Sequence, residues 1–371
     1  MTPFQQHGTI LTEQGWIKGS IRFDQRILAV EGEPLNAPEP GDTLILPGFI
    51  DLHVHGGGGR DIMDGGDAVD TVARLHAQHG TTSLLATTMT APQNDLDTAL
   101  HGIAEAVAQR QPGRSRVLGV HLEGPYINPG KLGAQPDFVQ TATLEAIQRM
   151  QAIAPLRLIT VAPEMEGNLA LVRLLAETGI RIQIGHTLGS YEDGLAALKA
   201  GASGFAHLFN AMSPFHHRAP GMAGAALAHA NFAELIPDLL HVHPGAIRTA
   251  LRAIPQLYCV TDSTAATGMP DGAYMLGRQQ VHKCLGGVRL ADGTLAGSTL
   301  TMDQALRNLV GLGLTLADAS RRVSTNAADF LGLSDRGRLR HNAYADLLLL
   351  DPDLQLTAVY VEGEPIDLGH A

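Results

Sequence analysis

A chain of 371 residues is long enough to bury a large core, and it fits a barrel of ~250 residues with a small added module as well as it fits two or three separate domains. Its 26 Lys and Arg stand against 37 Asp and Glu, a formal charge of -11, which disfavours nucleic acid because phosphate contacts need a basic footprint. Cys259 and Cys284 have no metal-ligand spacing and make no disulfide framework, no apolar run approaches the ~18 residues of a membrane helix, and Met1 to His7 carries no basic-then-apolar leader, so a cytoplasmic protein off the membrane is expected.

Residues 1–46 open with alternating runs such as Gly15 to Ile21, then a passage punctuated by Pro34, Pro38 and Pro40. Alternation of this kind marks half-buried antiparallel strands. Residues 341–371 have the same character in Ala345 to Leu350 and Ala358 to Glu364, so the two ends are expected to pair into one small β-sandwich domain. Residues 47–340 change pattern, to apolar strands followed by helical stretches at the roughly 30-residue period of a βα unit. Eight strands are read: Phe49 to His55, Ser83 to Thr88, Val117 to Glu123, Leu156 to Ala162, Ile180 to His186, Gly204 to Phe209, Phe232 to Pro237 and Leu257 to Asp262. Ala68 to His79 and Asn168 to Glu177 carry apolar residues three and four apart, as amphipathic helices do, and helical stretches over 301–310 and 315–331 lead back to the terminal module. The reading is an α/β protein, a TIM-type (β/α)8 barrel, with its site at the carboxyl ends of the strands.

Those ends carry the chemistry. The apolar run Gly119 to Leu122 finishes in Glu123, a carboxylate aimed at the barrel mouth. His53 and His55 are two apart on one strand, so they share a side and can grip one cation, and the glycines from Gly56 to Gly59 suit backbone passing close to a ligand. His186 and His207 each end an apolar run, and either one alone reads as an ordinary core histidine. With Glu123 and Asp262 they make a histidine and carboxylate set suited to Zn or Fe. Asp262 stands where the last strand opens into the flexible loop Ser263 to Gly268, placed to be ligand, base or both. His216-His217-Arg218 is a concentrated cationic cluster in an acidic chain and suits capture of a substrate phosphate, with His241 and His243 as possible helpers.

In Pro47 to Asp51, His121 to Tyr126, Gly185 to Thr187, His207 to Met212 and Val260 to Ser263, with Gly293 to Ser298 and Ser324 to Ala328, the chain resembles the N-acetylglucosamine-6-phosphate deacetylases of the amidohydrolase superfamily over nearly its whole length. The resemblance implies a barrel with a terminal β-sandwich, a homodimer, and hydrolysis of N-acetyl-D-glucosamine 6-phosphate to glucosamine 6-phosphate and acetate in amino-sugar catabolism. It makes Glu123, His186 and His207 metal ligands and Asp262 the general base and acid as metal-bound hydroxide attacks the acetyl carbonyl. Asn210, Ala211, Arg218, His241 and the loop Leu295, Ala296 and Gly297 are implied contacts to the sugar phosphate, some across the dimer interface, with Ala134 and Gln135 in a loop beside it. Some members lack the first-strand histidines and hold one metal; His53 and His55 place this chain with those that can hold two. The metal is expected to be divalent, Zn or Fe before Mn or Co. Leu239 stands where the family commonly has glycine, a departure in the backbone near the sugar. The alternatives are the N-acetylgalactosamine 6-phosphate epimer or another amide on the same barrel.

Overall fold

The computed structural model describes residues 3–369; the ends of the expected terminal module, Met1 and Thr2 with His370 and Ala371, lie outside them. Eight parallel strands form the barrel: Phe49–Val54, Thr81–Thr88, Arg116–Glu123, Leu156–Val161, Arg181–Ile184, Gly204–Phe205, Glu234–Leu235 and Tyr258–Cys259. The first six pair in chain order, and the last two pair with each other. Backbone bonds close the ring, from Leu208 N–H to the Glu234 carbonyl at 2.9 Å and from Asp262 N–H to the His53 carbonyl at 2.9 Å. The second strand is buried at every residue, as expected of a parallel strand covered on both faces.

The later strands stop short of their expected ends, and the reason lies at the mouth. His186, His207 and Asp262 have φ of 47°, 23° and 50°, a left-handed backbone that breaks the ladder. Such a conformation costs a non-glycine residue ~1–2 kcal/mol, and it persists where the surroundings over-determine it, most often at functional sites.

The helices run close to expectation at Ala68–Gln78, Asn168–Leu175 and Met302–Gly311. The stretch expected over 315–331 is two helices, Leu316–Val323 and Thr325–Leu331. Ser324 divides them: its backbone leaves the helical region at φ -143° and ψ -81°, and its hydroxyl bonds the Ser320 carbonyl at 2.6 Å.

Both chain ends build one seven-stranded sheet, in which Leu347–Leu350 pairs antiparallel with Leu44–Pro47 between the other C-terminal and N-terminal strands. Period-two alternation gives this sheet two apolar faces. Ile45, Leu347 and Leu349 pack with Ile10, Ile21 and Phe23 in the module's own core, whereas Leu44, Leu46, Leu348 and Leu350 join the barrel core. Beyond the loop expected over Ser263 to Gly268 lies a further meander of Gly272–Leu276, Gln279–Cys284 and Gly287–Arg289. Leu276, Val281 and Val288 pack it onto Met89 and Ala296, over the barrel mouth. Among the described residues no helix is long and apolar enough to cross a membrane.

Candidate metal centre

Glu123 ends the third barrel strand, and each of its oxygens faces a pair of imidazoles. Oε1 lies 3.0 Å from His186 Nε2 and 3.0 Å from His207 Nε2, which are 3.1 Å apart. Oε2 lies 3.1 Å from His55 Nε2 and 3.4 Å from His53 Nε2, themselves 3.1 Å apart. Ligand atoms ~2.0–2.1 Å from a tetrahedral ion sit roughly 3.4 Å from one another, so each triangle has the size of one face of a coordination shell. A shared proton can join one imidazole pair. The same pattern on both oxygens of one carboxylate, drawn from four strands, fits two cation sites that share Glu123.

The surroundings agree. All five residues are buried, His55 Nδ1 and His207 Nδ1 have no hydrogen-bond partner among the described residues, and His186 Nδ1 donates to the Lys131 carbonyl at 2.8 Å, which leaves its Nε2 lone pair facing Glu123. Burial works against charge on Glu123, but His53 and the bonds from His186 and His207 hold its carboxyl well below the ordinary carboxylate range. Burial likewise opposes a charged His53, yet the carboxylates of Glu123, Asp262 and Glu234 keep its pKa well above that of a free imidazole. In His121 burial and the neighbouring His53 act together to push the pKa far down. The centre gathers carboxylates around its imidazoles, and a divalent ion would bind the nitrogen lone pairs that face Glu123.

Asp262 stands at the edge of the second triangle, with Oδ1 3.4 Å from His55 Nε2 and 3.5 Å from His53 Nε2. Its carbonyl accepts the Ser298 N–H at 2.7 Å, which seats the 295–298 loop beside it. Gly297 is required there: φ is 62°, and a Cβ would meet Thr264 Cγ2 at 2.6 Å and the Asp262 carbonyl at 2.9 Å. A cavity of about 430 Å³ opens over the centre, reaching Glu123, Asp262, His55, His186, His207 and His241. That is within the range of small-molecule sites.

The amidohydrolase family model matches residues 44–366, which span the barrel and the C-terminal strands of the module. The chain belongs to the amidohydrolase family. It is 38% identical over 374 residues to the N-acetylgalactosamine-6-phosphate deacetylase of Escherichia coli O157:H7, covering 98% of this chain and 99% of that one. It is also 38% identical over 349 residues to the N-acetylglucosamine-6-phosphate deacetylase of Lysinibacillus sphaericus, covering 92% and 90%. Among solved structures, an N-acetyl-D-glucosamine-6-phosphate deacetylase mutant from Mycobacterium smegmatis, in complex with N-acetyl-D-glucosamine-6-phosphate, superposes with a TM-score of 0.91 at 34% identity, over 99% of this chain and 100% of that one. The barrel with a small added module is thus the fold of this group.

In this amidohydrolase, seven of the nine expected substrate contacts line the cavity: Ala134, Gln135, Asn210, Ala211, His241, Leu295 and Gly297. Gln135 does more than line it. Its amide nitrogen donates to Glu123 Oε2 at 2.6 Å and its oxygen accepts the Thr90 N–H at 2.7 Å, so it orients the Glu123 carboxylate. Ala296 is fully buried behind the loop, and Arg218 is exposed beside a separate groove with Ser190, Tyr191 and Ser213. Burial disfavours a charged His241, but Asp238, 2.6 Å from Nδ1, raises its pKa. Leu239 keeps the left-handed turn usual for glycine, at φ 66°, while Asp238 Oδ1 accepts the N–H groups of Leu240 and His241 at 2.9 and 2.8 Å.

Sequence reasoning missed Glu234, which touches His53 Nδ1 at 3.1 Å. The available signal was a lone acid inside the apolar run Phe232 to Ile236.

Proposed function

We propose that this amidohydrolase removes the acetyl group of N-acetyl-D-glucosamine 6-phosphate, releasing D-glucosamine 6-phosphate and acetate. The observation that carries the reading is Glu123 shared between two histidine pairs at the floor of a sugar-sized cavity, with Asp262 beside it. The relatives that act on this class of substrate support the choice of amide.

An amide resists hydrolysis because its carbonyl is a poor electrophile and its nitrogen a poor leaving group. Glu123, His186 and His207 would hold one divalent ion, and His53 and His55 with Glu123 a second; such an ion acidifies water toward a pKa of ~7 and polarises a carbonyl. Zn or Fe fits this donor set first, Mn or Co next. Asp262, buried but reaching the cavity, takes a proton from the attacking water at its carboxylate and returns it to the departing nitrogen. Gln135 holds Glu123 in place, and Asn210, Ala211 and Leu295 form walls that orient the sugar. His241, whose pKa Asp238 raises against the effect of burial, offers a receptor for the phosphate. Arg218 faces solvent outside this cavity, and we assign it to the phosphate of a neighbouring copy in a cytoplasmic homodimer.

The test is acetate release from four amides: the gluco 6-phosphate, its galacto epimer, N-acetylglucosamine without phosphate, and an N-acetyl amino acid. The reading predicts the highest kcat/KM on the gluco 6-phosphate. Faster turnover of the galacto epimer, the substrate class named in one close relative, would shift the assignment to that epimer. Equal turnover without phosphate would remove the sugar phosphate altogether.

A further inference from the structure

We infer that Glu234 is a positioning residue that fixes which nitrogen of His53 faces the second cation site, and so sets whether that site fills. The inference rests on the metal-centre reading above and adds a residue to it.

Glu234 belongs to the seventh barrel strand and is fully buried. Its Oε2 lies 3.1 Å from His53 Nδ1 and accepts the His207 backbone N–H at 3.3 Å, and its Oε1 accepts the Tyr258 hydroxyl at 3.4 Å. Among the described residues its ion-pair partner is His53, with no Lys or Arg in contact. A carboxylate taken out of water survives on such donors, and here they point it at one ring.

His53 is equally buried and held from both sides. Nδ1 meets Glu234, while Nε2 faces Glu123, Asp262 and His55 at the second triangle. A neutral imidazole presents a lone pair from one nitrogen and carries its proton on the other. A carboxylate on Nδ1 keeps the proton there and leaves Nε2 free to ligate. The other histidines of the centre have no such partner: His186 donates to a neutral carbonyl, and the Nδ1 atoms of His55 and His207 are unpartnered. The contact to His207 is through its backbone, which leaves that ring unorientated by Glu234. Loss of Glu234 is therefore felt at the second site and spared at the first.

Glu234 also groups with His53 and His121 as a set of the size to hold an ion. That set is already engaged: His121 Nε2 contacts the Thr160 hydroxyl at 2.7 Å, and an ion there would take the same His53 nitrogen that Glu234 orients. None of the three lines the cavity.

The test is Glu234→Gln, with stepwise Zn²⁺ affinities measured by competition against a chromophoric chelator on the metal-stripped full chain. The second-site affinity is expected to fall about 10–100-fold, with the first-site affinity changed by less than about threefold. His53→Asn abolishes the second site, and adding Glu234→Gln to it has no further effect on zinc binding. Equal weakening of both sites, or an unchanged second site, overturns the inference. Should Glu234→Gln not fold, zinc-loaded wild type labelled with ¹⁵N-histidine decides: the inference requires the His53 proton on Nδ1, and a proton on Nε2 overturns it. A wild type that takes a single ion also overturns it while leaving the Glu123, His186 and His207 site standing. One that takes none overturns the metal-centre reading beneath it.

Discussion

Two clusters of buried acids in this molecule are built on opposite plans. At the junction between barrel and terminal module, Arg336 bonds Asp346 at 2.5 Å and also Glu362, and Arg116 grips Glu362 through two bonds of 2.8 and 2.7 Å. Each acid there meets a guanidinium. At the barrel mouth the ion-pair partners of Glu123, Asp262 and Glu234 are all histidines, with no Lys or Arg, among the described residues. A junction that cancels its own charge is a structural clamp. A mouth whose acids face histidines at the floor of a cavity is a receptor for cations brought from outside.

The comparison breaks most sharply at the mouth. Asp262→Asn should lower kcat by about 10²–10⁴-fold with folding and metal content kept, since it removes the proton carrier and little else. Turnover near wild type in steady-state assays would take Asp262 out of the mechanism. At the junction, Arg336→Met strands Asp346 without a counter-cation, leaves Glu362 to Arg116, and should cost about 3–5 kcal/mol, read as a shifted urea midpoint. A loss under ~1 kcal/mol would show that the clamp carries little. His55→Asn is the converse experiment. Metal per chain should fall by one ion while the metal-free protein unfolds within ~1 kcal/mol of wild type, because no cation of the protein's own loses its partner.

Acid sharpens the same contrast. Burial opposes ionisation of Glu362, but Arg116 and Arg336 pull its pKa down to about 2 from an unfolded 4.5. The folded value is the lower one, so this stabilisation is present above pH 4.5 and drains away as pH falls toward 2. Asp346, raised by burial, offsets part of it. Urea midpoints of wild type should fall more steeply across that window than those of Glu362→Gln; parallel profiles would contradict the assignment. The smallest effect is expected at the mouth's rim, where Leu239→Gly relieves a left-handed residue and should raise stability by no more than ~1 kcal/mol in thermal unfolding, with KM unchanged.

Much of this was legible in the chain itself, for physical reasons that also mark where reading fails. Parallel strands buried on both faces write themselves as apolar runs, so all eight barrel strands could be read, with Glu123 ending one and His186 and Asp262 a few residues beyond two others. Strand ends were harder, because left-handed turns at His186, His207 and Asp262 stop the ladder early without a glycine to announce them. The meander over the mouth went unread, since its first strand is largely exposed and sits in a loop rich in glycine. Arg218 was readable as a cation but not as one placed away from its own cavity, and the roles of Gln135 and Glu234 depend on contacts between distant strands that no local pattern records.

The most direct measurement strips the protein of metal with a chelator, follows acetate release from N-acetyl-D-glucosamine 6-phosphate, and counts ions per chain as Zn²⁺ or Co²⁺ is restored. The account predicts that turnover vanishes with the metal, returns as the Glu123, His186 and His207 site fills, and that up to two ions bind per chain. Undiminished acetate release from metal-free protein would contradict it, as would a fully loaded protein that releases none.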